Sequence, residues 1–558
     1  MTATAPEPEA VPVVDAAPPP DLIEVPDDFP VEWVEPRDAE LTWYWDDMHM
    51  PQALTPLAGD YVLTMGAGMA YGLERLGLTP VTKTRIWNGF AYFTADVPLP
   101  EEEHAAFWAL RTERARAEIP RTHAYWVERA LPELKAIYAG VAATPVESLP
   151  LEELATAWDW AWDRLDRCWQ VHFYVIRGPY QVLEDLADLY EAVVPDARPG
   201  DALALIGGGI DELQDVEVRM EELLRLVRAS PALGAALSAA EPMVSSLPDD
   251  ADTDAFRSAL DAFLAEHGHL GQSWDDLALP SWIEEPDRLL AELGKRLTHP
   301  HREHPDARRA LLEMRADMLA RGARERLANE PERLARFEEL LAAAKQIGAL
   351  TETHNYWIDR MAQSCLRRFV WRVGARLVET GAIDATEDVL YLHRSEVPDV
   401  LRDRADRRPV IAERRAEHAR RVGTKPPAKV GKPSDDTDDG DRFDGKVVKS
   451  ERDDEVRGTG ASAGIARGPA RVVIDQSAFG NVQPGDIIVC PSSNPSWVPL
   501  FAIAGGLVTD TGGVLSHAAV VAREFGLPAV VGTHGGTAKI ADGRLVEIDG
   551  SSGVVRLL

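Results

Sequence analysis

Residues 509–532 read TDTGGVLSHAAVVAREFGLPAVVG, and this stretch decides the character of the C-terminal part of the chain. A short apolar strand ends at Asp510, and the glycine pair that follows predicts a tight turn. Helical spacing of apolar residues then predicts a helix over 514–526, which Gly526 and the proline two residues later bring to an end. His517 therefore falls in the first turn of a helix that directly follows a strand and a glycine turn.

This position suits an imidazole that handles phosphate. Unpaired backbone N–H groups and the positive end of the helix dipole favour an anion beside His517. The same dipole disfavours the imidazolium, so the ring stays neutral and nucleophilic and could accept a phosphoryl group. A polar cap without catalytic function is the alternative for a single histidine here. The candidate phosphate-binding residues are those of the turn and cap: Thr511, Gly512, Gly513 and Ser516.

The flanking sequence predicts a compact α/β domain over 458–558. Short apolar runs such as DIIVC (486–490) and RLVEID (544–549) alternate with turns that contain Gly, Pro or Asp. Residues 424–457, rich in Pro, Gly and charge, predict a solvated linker ahead of this domain.

The rest of the chain is of a different kind. Residues 39–423 are rich in Ala, Leu, Glu and Arg with apolar residues at three- and four-residue spacing, which predicts a large helical domain. Within it, β-branched and aromatic residues around Asn88-Gly89 predict a small β-hairpin near 81–96. Residues 1–38, rich in Pro, Ala and Glu, predict a disordered tail.

Composition excludes several classes of function. The 558 residues include 59 Lys and Arg against 92 Asp and Glu, a formal net charge of −33, which argues against nucleic-acid or anionic-membrane partners. Three widely spaced cysteines give neither a disulfide framework nor a cysteine zinc motif. No secretory signal or long apolar segment is recognisable. We therefore expect a cytoplasmic protein.

The motif Gly512-Gly513-Val514-Leu515-Ser516-His517 resembles the swivelling phosphohistidine domain of the phosphoenolpyruvate-utilising enzymes. The flanks PSSNPSWVPLFAIAGGLVTD (491–510) and AAVVAREFGLPAVVG (518–532) are similar as well. The resemblance implies that His517 carries a phosphoryl group. It also implies a multidomain fold, in which a large, mainly α-helical domain precedes a C-terminal β/β/α domain that swings between two remote sites.

The helical region is similar to the substrate domain of rifampicin-phosphotransferase-like proteins, through segments such as WNGFAYF (87–93) and FLAEHGHLGQSWDDL (263–277). From these segments Trp87, His267 and His269 are candidate substrate-binding residues, although tryptophans at such spacing are also typical of a core. Leu270 stands where the family often has Arg, and Thr351 where an Arg-Glu pair is usual. These departures indicate a substrate other than rifampicin.

The helical segment that begins at Thr351 offers the candidate acceptor site. On an α-helix, Glu352, Asn355 and Asp359 share one face, with His354 on its flank. A phosphotransferase needs a base for the acceptor hydroxyl, so Glu352, His354 and Asp359 are catalytic candidates and Asn355 a substrate contact. A solvated polar face is the alternative. Three arginines that follow could meet the phosphoryl group, and the sequence does not choose among them: Arg360, Arg367 and Arg368. No metal site is predicted, since His299, His301 and His304 indicate a polar loop.

Together these observations predict a phosphotransferase component. The chain shows no strand-rich nucleotide-binding pattern, so the resemblance implies that a separate ATP-grasp subunit binds ATP, with Mg²⁺, and phosphorylates His517. A small organic hydroxyl compound of unknown identity would accept the phosphoryl group. The arrangement is also similar to phenylphosphate synthase, whose separate subunits carry nucleotide binding and the phosphohistidine. Two alternatives stay open: a phosphoryl carrier or regulator without a small-molecule substrate, and direct use of phosphoenolpyruvate.

Overall fold

A computed structural model of the chain describes residues 22–47, 49–198, 200–207, 211–271, 277–297, 304–433, 452, 454–474, 476–493, 497–514 and 516–558. It shows a large helical region with a small sheet at one side and a C-terminal sheet domain, as the sequence predicts. Among the described residues, none of the helices combines the length and the apolar character needed to cross a lipid bilayer.

The helical region contains sixteen α-helices within the described residues. They are α1 Pro56–Arg75, α2 Glu101–Tyr125, α3 Leu131–Ala142, α4 Leu151–Val175, α5 Arg177–Val193, α6 Asp201–Ala204, α7 Asp211–Ala229, α8 Pro231–Leu237, α9 Ala251–His267, α10 Pro286–Leu297, α11 Pro305–Arg326, α12 Pro331–Ile347, α13 Leu350–His354, α14 Met361–Thr380, α15 Glu396–Asp403 and α16 Arg408–Arg421. Two π-helical segments, Trp126–Ala130 and Asn355–Arg360, lie between consecutive helices. The second of them joins α13 to α14 and matters for the site.

Helices α1 and α4 pack closely because small residues of α1 face α4. A Cβ on Gly68 would lie 2.7 Å from the carbonyl oxygen of Trp169, and one on Gly72 would lie 2.6 Å from that of Phe173. Only glycine fits such an approach of two backbones. The contact places His172 of α4 in the interior, where it meets the segment after α13.

The predicted hairpin is confirmed. Strands β2 Thr82–Trp87 and β3 Phe90–Ala95 pair antiparallel, and Asn88 and Gly89 between them have φ of 51° and 83°. Both positive angles are those of a type I′ turn. Strand β1 Thr42–Trp45 joins β3, and strand β4 Lys429–Gly431 joins β1, which completes a four-stranded sheet.

This sheet corrects the predicted boundaries of the tail and the linker. Residues 22–38 pack on the sheet instead of forming a tail, with Phe29 only 4% exposed. The apolar residues Val25, Phe29, Val31 and Trp33 are diluted by prolines and acids, so the average composition conceals them. Residues 1–21 lie outside the described residues. Residues 429–431 are paired in the sheet and not in a linker, and most of the linker, 434–451, also lies outside the described residues.

The C-terminal domain is built on eight strands in the order β5-β12-β11-β7-β8-β9-β10-β6. They are β5 Glu455–Arg457, β6 Thr459–Ser462, β7 Ile465–Val472, β8 Ile487–Cys490, β9 Gly506–Thr509, β10 Ala529–Val531, β11 Leu545–Asp549 and β12 Val554–Leu557, with short helices α17 Val498–Phe501, α18 His517–Glu524 and α19 Gly536–Lys539. Because β5 pairs with β12, the domain begins slightly before the predicted residue 458.

The four central strands, β7 to β10, run parallel. Loops at the carboxyl ends of parallel strands are the usual place for a ligand site in such a sheet. Strand β9 ends at Thr509, and α18 begins at His517, so the glycine turn of the motif lies at this edge. The helix packs on the sheet through Ala519 and Ala522, both fully buried.

Candidate active site

The turn before α18 is held by its own residues. Ser516 is the N-cap: its hydroxyl accepts from the Ala519 N–H at 3.4 Å and donates to the Gly513 carbonyl at 2.8 Å. Gly512 has φ of 97°, and a Cβ there would lie 2.9 Å from the Ser516 hydroxyl oxygen. A residue with a side chain would be strained at this position on both counts. His517 is the first residue of the helix, as predicted.

The loop is also tied to the sheet. The N–H and the hydroxyl of Thr511 both donate to the Pro491 carbonyl, at 2.9 and 3.1 Å. In this arrangement the Pro491 carbonyl therefore accepts from both donors of Thr511, one of the predicted phosphate-binding residues. The Asp510 carboxylate accepts from the Thr537 N–H at 2.9 Å and so fixes the other side of the loop.

The side chain of His517 meets Glu352 of the helical region. The ring nitrogen Nδ1 lies 2.8 Å from Glu352 Oε2, and Asn355 donates to the same oxygen at 3.0 Å. Both side chains are largely buried, His517 to 13% and Glu352 to 5% exposure. A carboxylate on Nδ1 holds the ring proton there and leaves the lone pair on Nε2. Among the described residues, the buried Nε2 has no hydrogen-bond partner.

A cleft opens at His517. Its apolar wall consists of Leu213, Val216, Met220, Leu270, Trp282 and Tyr356. Its polar wall consists of Glu217, Arg296, Glu352, Asn355, Arg360 and His517. The cleft is thus an apolar pocket with a few converging polar groups, the usual form of a small-molecule site.

The C-terminal domain is packed against the helical region around this cleft. The Arg308 guanidinium lies 5.1 Å from the centre of the Phe525 ring, and the Lys295 ammonium donates to the Phe479 carbonyl at 3.4 Å. Leu213 packs on the core of the C-terminal domain, and Val514 packs on the core of the helical region. Two domains therefore build the site together, with the histidine from one and the cleft from the other.

The π-helical segment decides which side chains reach the cleft. A π-helix closes i→i+5 hydrogen bonds and so takes one more residue for each turn than an α-helix. The face of Glu352 therefore continues through Asn355 and Arg360, and not through Asp359 as the α-helical spacing predicts. Asp359 turns inward, where its carboxylate lies 2.8 Å from His172 Nδ1. Burial alone would raise the pKa of Asp359, but His172 outweighs it and holds the pKa below its usual range.

His354 also lies away from the cleft. Its Nδ1 lies 2.6 Å from the Leu350 carbonyl oxygen, and its ring packs edge-on against His172 at 4.4 Å. Burial, and then the neighbouring His172, lower the pKa of His354 to about 4. The ring is therefore neutral at pH 7, and it does not line the cleft where an acceptor hydroxyl would lie.

The structure places the three candidate arginines, Arg360, Arg367 and Arg368, in different surroundings. Arg360 is buried and lines the cleft. Arg367 is held elsewhere: it donates to the Leu277 carbonyl at 2.7 Å and lies 3.2 Å from Glu284. Arg368 is exposed on α14. Arg360 is thus the candidate that the geometry places beside His517.

The remaining predicted contacts fall into two groups. His267 and His269 are buried behind Tyr356, with His267 Nδ1 2.8 Å from its hydroxyl and the His269 ring 4.6 Å from its ring. Burial, then His267 and Arg360, lower the pKa of His269 to about 3. They touch the cleft wall and not the cleft itself. Trp87 lies in the core of the first sheet, where it packs on Trp43, and its indole donates to a backbone carbonyl at 2.7 Å, so the structure does not place it at the site.

The cleft also contains residues that the sequence does not predict: Tyr356, Trp282 and the ion pair of Arg296 with Glu217 at 3.1 Å. These residues come from separate helices, and no local pattern connects them. Tyr356 alone carried a signal, since it sits directly beside Asn355 in the segment singled out.

The described carboxylates at the cleft do not form a Mg²⁺ site. Glu217 is paired with Arg296, and Glu352 accepts hydrogen bonds from Asn355 and His517. Mg²⁺ needs several oxygens at short and regular distances.

Comparison with known proteins agrees with this geometry. Residues 482–553 match the family described as PEP-utilising enzyme, mobile domain, and residues 182–372 match the rifampicin phosphotransferase fourth domain. The C-terminal domain therefore matches the mobile domain of the phosphoenolpyruvate-utilising enzymes. The helical region that supplies the cleft is related to a domain of rifampicin phosphotransferase, and the predicted resemblance is confirmed in both parts.

Individual relatives show the same relation. The chain is 33% identical to a chondramide synthase of Chondromyces crocatus over 96% of its own length and 14% of the relative. It is 30% identical to an uncharacterized phosphotransferase, YvkC, of Bacillus subtilis over 53% of this chain and 36% of the relative. It is 29% identical to the rifampicin phosphotransferase of Streptomyces sviceus, over 54% and 34%. The chain thus spans between a seventh and about a third of these curated relatives.

Proposed function

We propose that this chain is a phosphotransferase component that carries a phosphoryl group on His517 to a small organic hydroxyl compound bound in the cleft. The observation that carries the proposal is the 2.8 Å contact of His517 Nδ1 with Glu352, which leaves a buried Nε2 without a described partner at the cleft. A neutral imidazole with its lone pair at Nε2 is the group that remains when a phosphohistidine gives up its phosphoryl group, so this contact fits the transfer step at the cleft.

The donor in this proposal is a separate ATP-grasp subunit, with the Mg²⁺ that nucleotide chemistry requires held on that subunit. The match of residues 482–553 to a PEP-utilising mobile domain supports the carrier role that such a donor would load. We also propose that the protein works in the cytoplasm, which agrees with three free, buried cysteines.

At the cleft, the bond between Nε2 and phosphorus breaks and a bond between the acceptor oxygen and phosphorus forms. The electron pair of the broken bond returns to Nε2. The hydroxyl proton passes to the Glu352 carboxylate, which lines the cleft. Arg360 stabilises the charge on the moving phosphoryl group. Tyr356, Trp282 and the aliphatic wall exclude water, which would otherwise compete as acceptor.

The walls of the cleft favour an enzyme over a carrier without its own substrate. A protein-binding surface would be flat, whereas a concave site with Trp282 on one wall and Glu352 and Arg360 on the other suits a small molecule.

Isotope transfer tests this proposal. The purified chain is incubated with β- or γ-labelled ATP, with and without an ATP-grasp protein encoded beside it, and separately with labelled phosphoenolpyruvate. We expect an acid-labile label on the chain that requires the ATP-grasp protein and disappears in His517→Ala. His123→Ala, at an exposed position on α2, is the matched control and should label normally.

Two outcomes decide against the proposal. A label that persists in His517→Ala places the phosphoryl group elsewhere. Labelling from phosphoenolpyruvate alone would replace the ATP-grasp donor with direct use of phosphoenolpyruvate.

A further inference from the structure

A second buried histidine faces two carboxylates on the far side of Tyr356. His267, the last residue of α9, has a side chain only 3% exposed, and its Nε2 lies 3.1 Å from Asp215 Oδ2 on α7. Glu266 Oε2 lies 4.0 Å from the same nitrogen. The two carboxylate side chains are 43% and 60% exposed, so the group is buried at the imidazole and open to solvent at the carboxylates.

The contacts of the ring fix where its proton resides. Nδ1 lies 2.8 Å from the Tyr356 hydroxyl, and that hydroxyl donates to the Glu266 backbone carbonyl at 3.3 Å. A hydroxyl has one proton, so Tyr356 must accept from His267 Nδ1–H. In the neutral ring Nε2 then carries a lone pair and no proton.

In this arrangement the Nε2 lone pair lies 3.1 Å from Asp215 Oδ2. Because both atoms carry negative charge density, a positive group between them is needed. A proton on Nε2 is a poor solution, because the buried Nε2 makes no hydrogen bond with any described residue in spite of the short distance. Two ligand atoms bound to one cation at about 2.1 Å each lie about 3.4 Å apart, off the axis of an N–H bond.

We propose that His267 Nε2, Asp215 and Glu266 bind a divalent transition-metal ion, Zn²⁺ or Mn²⁺, with water completing the coordination. One imidazole nitrogen with two carboxylate oxygens is a ligand set that suits these ions. The Tyr356 hydroxyl is the outer partner that fixes the orientation of a metal-binding histidine. Arg219 lies 3.7 Å from the other oxygen of Asp215, Oδ1, and so leaves Oδ2 directed at His267.

The site has a consequence for the cleft, because Tyr356 forms part of its wall. A bound ion would fix His267, and through Nδ1 it would fix the Tyr356 hydroxyl. The ion would thus stabilise the shape of the pocket from behind. It is distinct from the phosphoryl path, since the metal ligands do not contact His517, and the proposal stands whether or not His517 is phosphorylated.

Metal titration of the full chain tests the site. After dialysis against EDTA, Zn²⁺ and Mn²⁺ binding are measured by calorimetry, and Co²⁺ binding by its visible absorption. We expect one equivalent bound with the high affinity of a three-ligand site, and an affinity at least about tenfold lower in Asp215→Asn and in His267→Gln. Asp261→Asn, at an exposed position on the same helix as His267, should bind as the wild type does.

His267 is buried, so His267→Gln could lower stability, and the partly exposed Asp215→Asn therefore carries the test. Absence of any saturable site in the wild type overturns the proposal. Equal affinities of Asp215→Asn and Asp261→Asn also overturn it, because the bound ion would then lie elsewhere.

Discussion

The turn that presents His517 and the segment 350–360, in which α13 presents Glu352 and continues into the π-helical turn, meet at 2.8 Å, yet the two regions are built in different ways. The turn is stabilised by its own residues, Gly512, Gly513 and Ser516. Segment 350–360 is held from outside, because Glu212 of α7 accepts from the Thr353 hydroxyl and the Trp357 indole, both at 2.9 Å, and His172 of α4 holds Asp359. A local motif can be recognised from sequence, whereas a segment shaped by distant helices cannot.

Glu352→Gln changes the segment that presents Glu352 and leaves the turn that presents His517 unchanged. It should lower phosphoryl transfer to the acceptor more than the other variants do. The amide can still hydrogen-bond but cannot take a proton, so transfer from His517 to the acceptor should fall about 100- to 10,000-fold. Labelling of His517 by its donor should continue, since that step depends on the turn. Single-turnover transfer from the labelled chain measures this, and a loss of labelling itself would show that the two regions are not separable.

Arg360→Gln tests whether the π-helical geometry of 355–360, and not α-helical spacing, decides which side chains line the cleft. We expect transfer to fall about 100- to 1,000-fold, as when one preorganised donor to a developing charge is removed. Arg368→Gln is the matched control, because Arg368 is exposed on the same continuous segment. If the two variants transfer at equal rates, Arg360 does not contact the phosphoryl group.

The third test concerns the interior side of segment 350–360, at the end of α13. The pKa of buried His354 is about 4, against about 6.5 in an unfolded chain. The unfolded state therefore takes up a proton first as the pH falls, so this histidine should destabilise the fold progressively between pH 6.5 and 4, by about 3 kcal/mol in total. Chemical denaturation of wild type and His354→Leu at several pH values measures the difference. Identical pH dependence in both proteins would contradict the neutral, buried state.

Much of the fold could be predicted because its signals are local. The hairpin at Asn88-Gly89, the helical region and the short strands of the C-terminal domain each follow from residues that are adjacent in the sequence. The packing of residues 22–38 was missed, because four apolar residues among prolines stabilise nothing until a sheet is present to receive them.

At the site, His517, Glu352, Asn355 and Arg360 were all singled out, and the structure brings these four together. Asp359 and His354 were assigned to the wrong environment because the inference assumed α-helical geometry. The amino-acid sequence of residues 355–360 does not predict a π-helix. The side chains around it are held by Glu212 and His172, which are far away in the chain and unrelated by any spacing.

Because strand β4 is fixed in the first sheet, the length of the connection after it limits how far the C-terminal domain can lie from that sheet. Lys429–Gly431 is paired with β1, and at the other end of the connection Lys539 donates to the backbone carbonyls of Arg452 and Glu455. From Pro433 to Asp454 there are 21 residue steps, and a fully extended chain of that length spans at most roughly 75 Å. Under the proposed function, a donor that loads His517 must therefore come within that distance, plus the dimensions of the C-terminal domain, of the first sheet. Each return to Glu352 would then be an intramolecular encounter, whose frequency the length of the connection sets and the protein concentration does not.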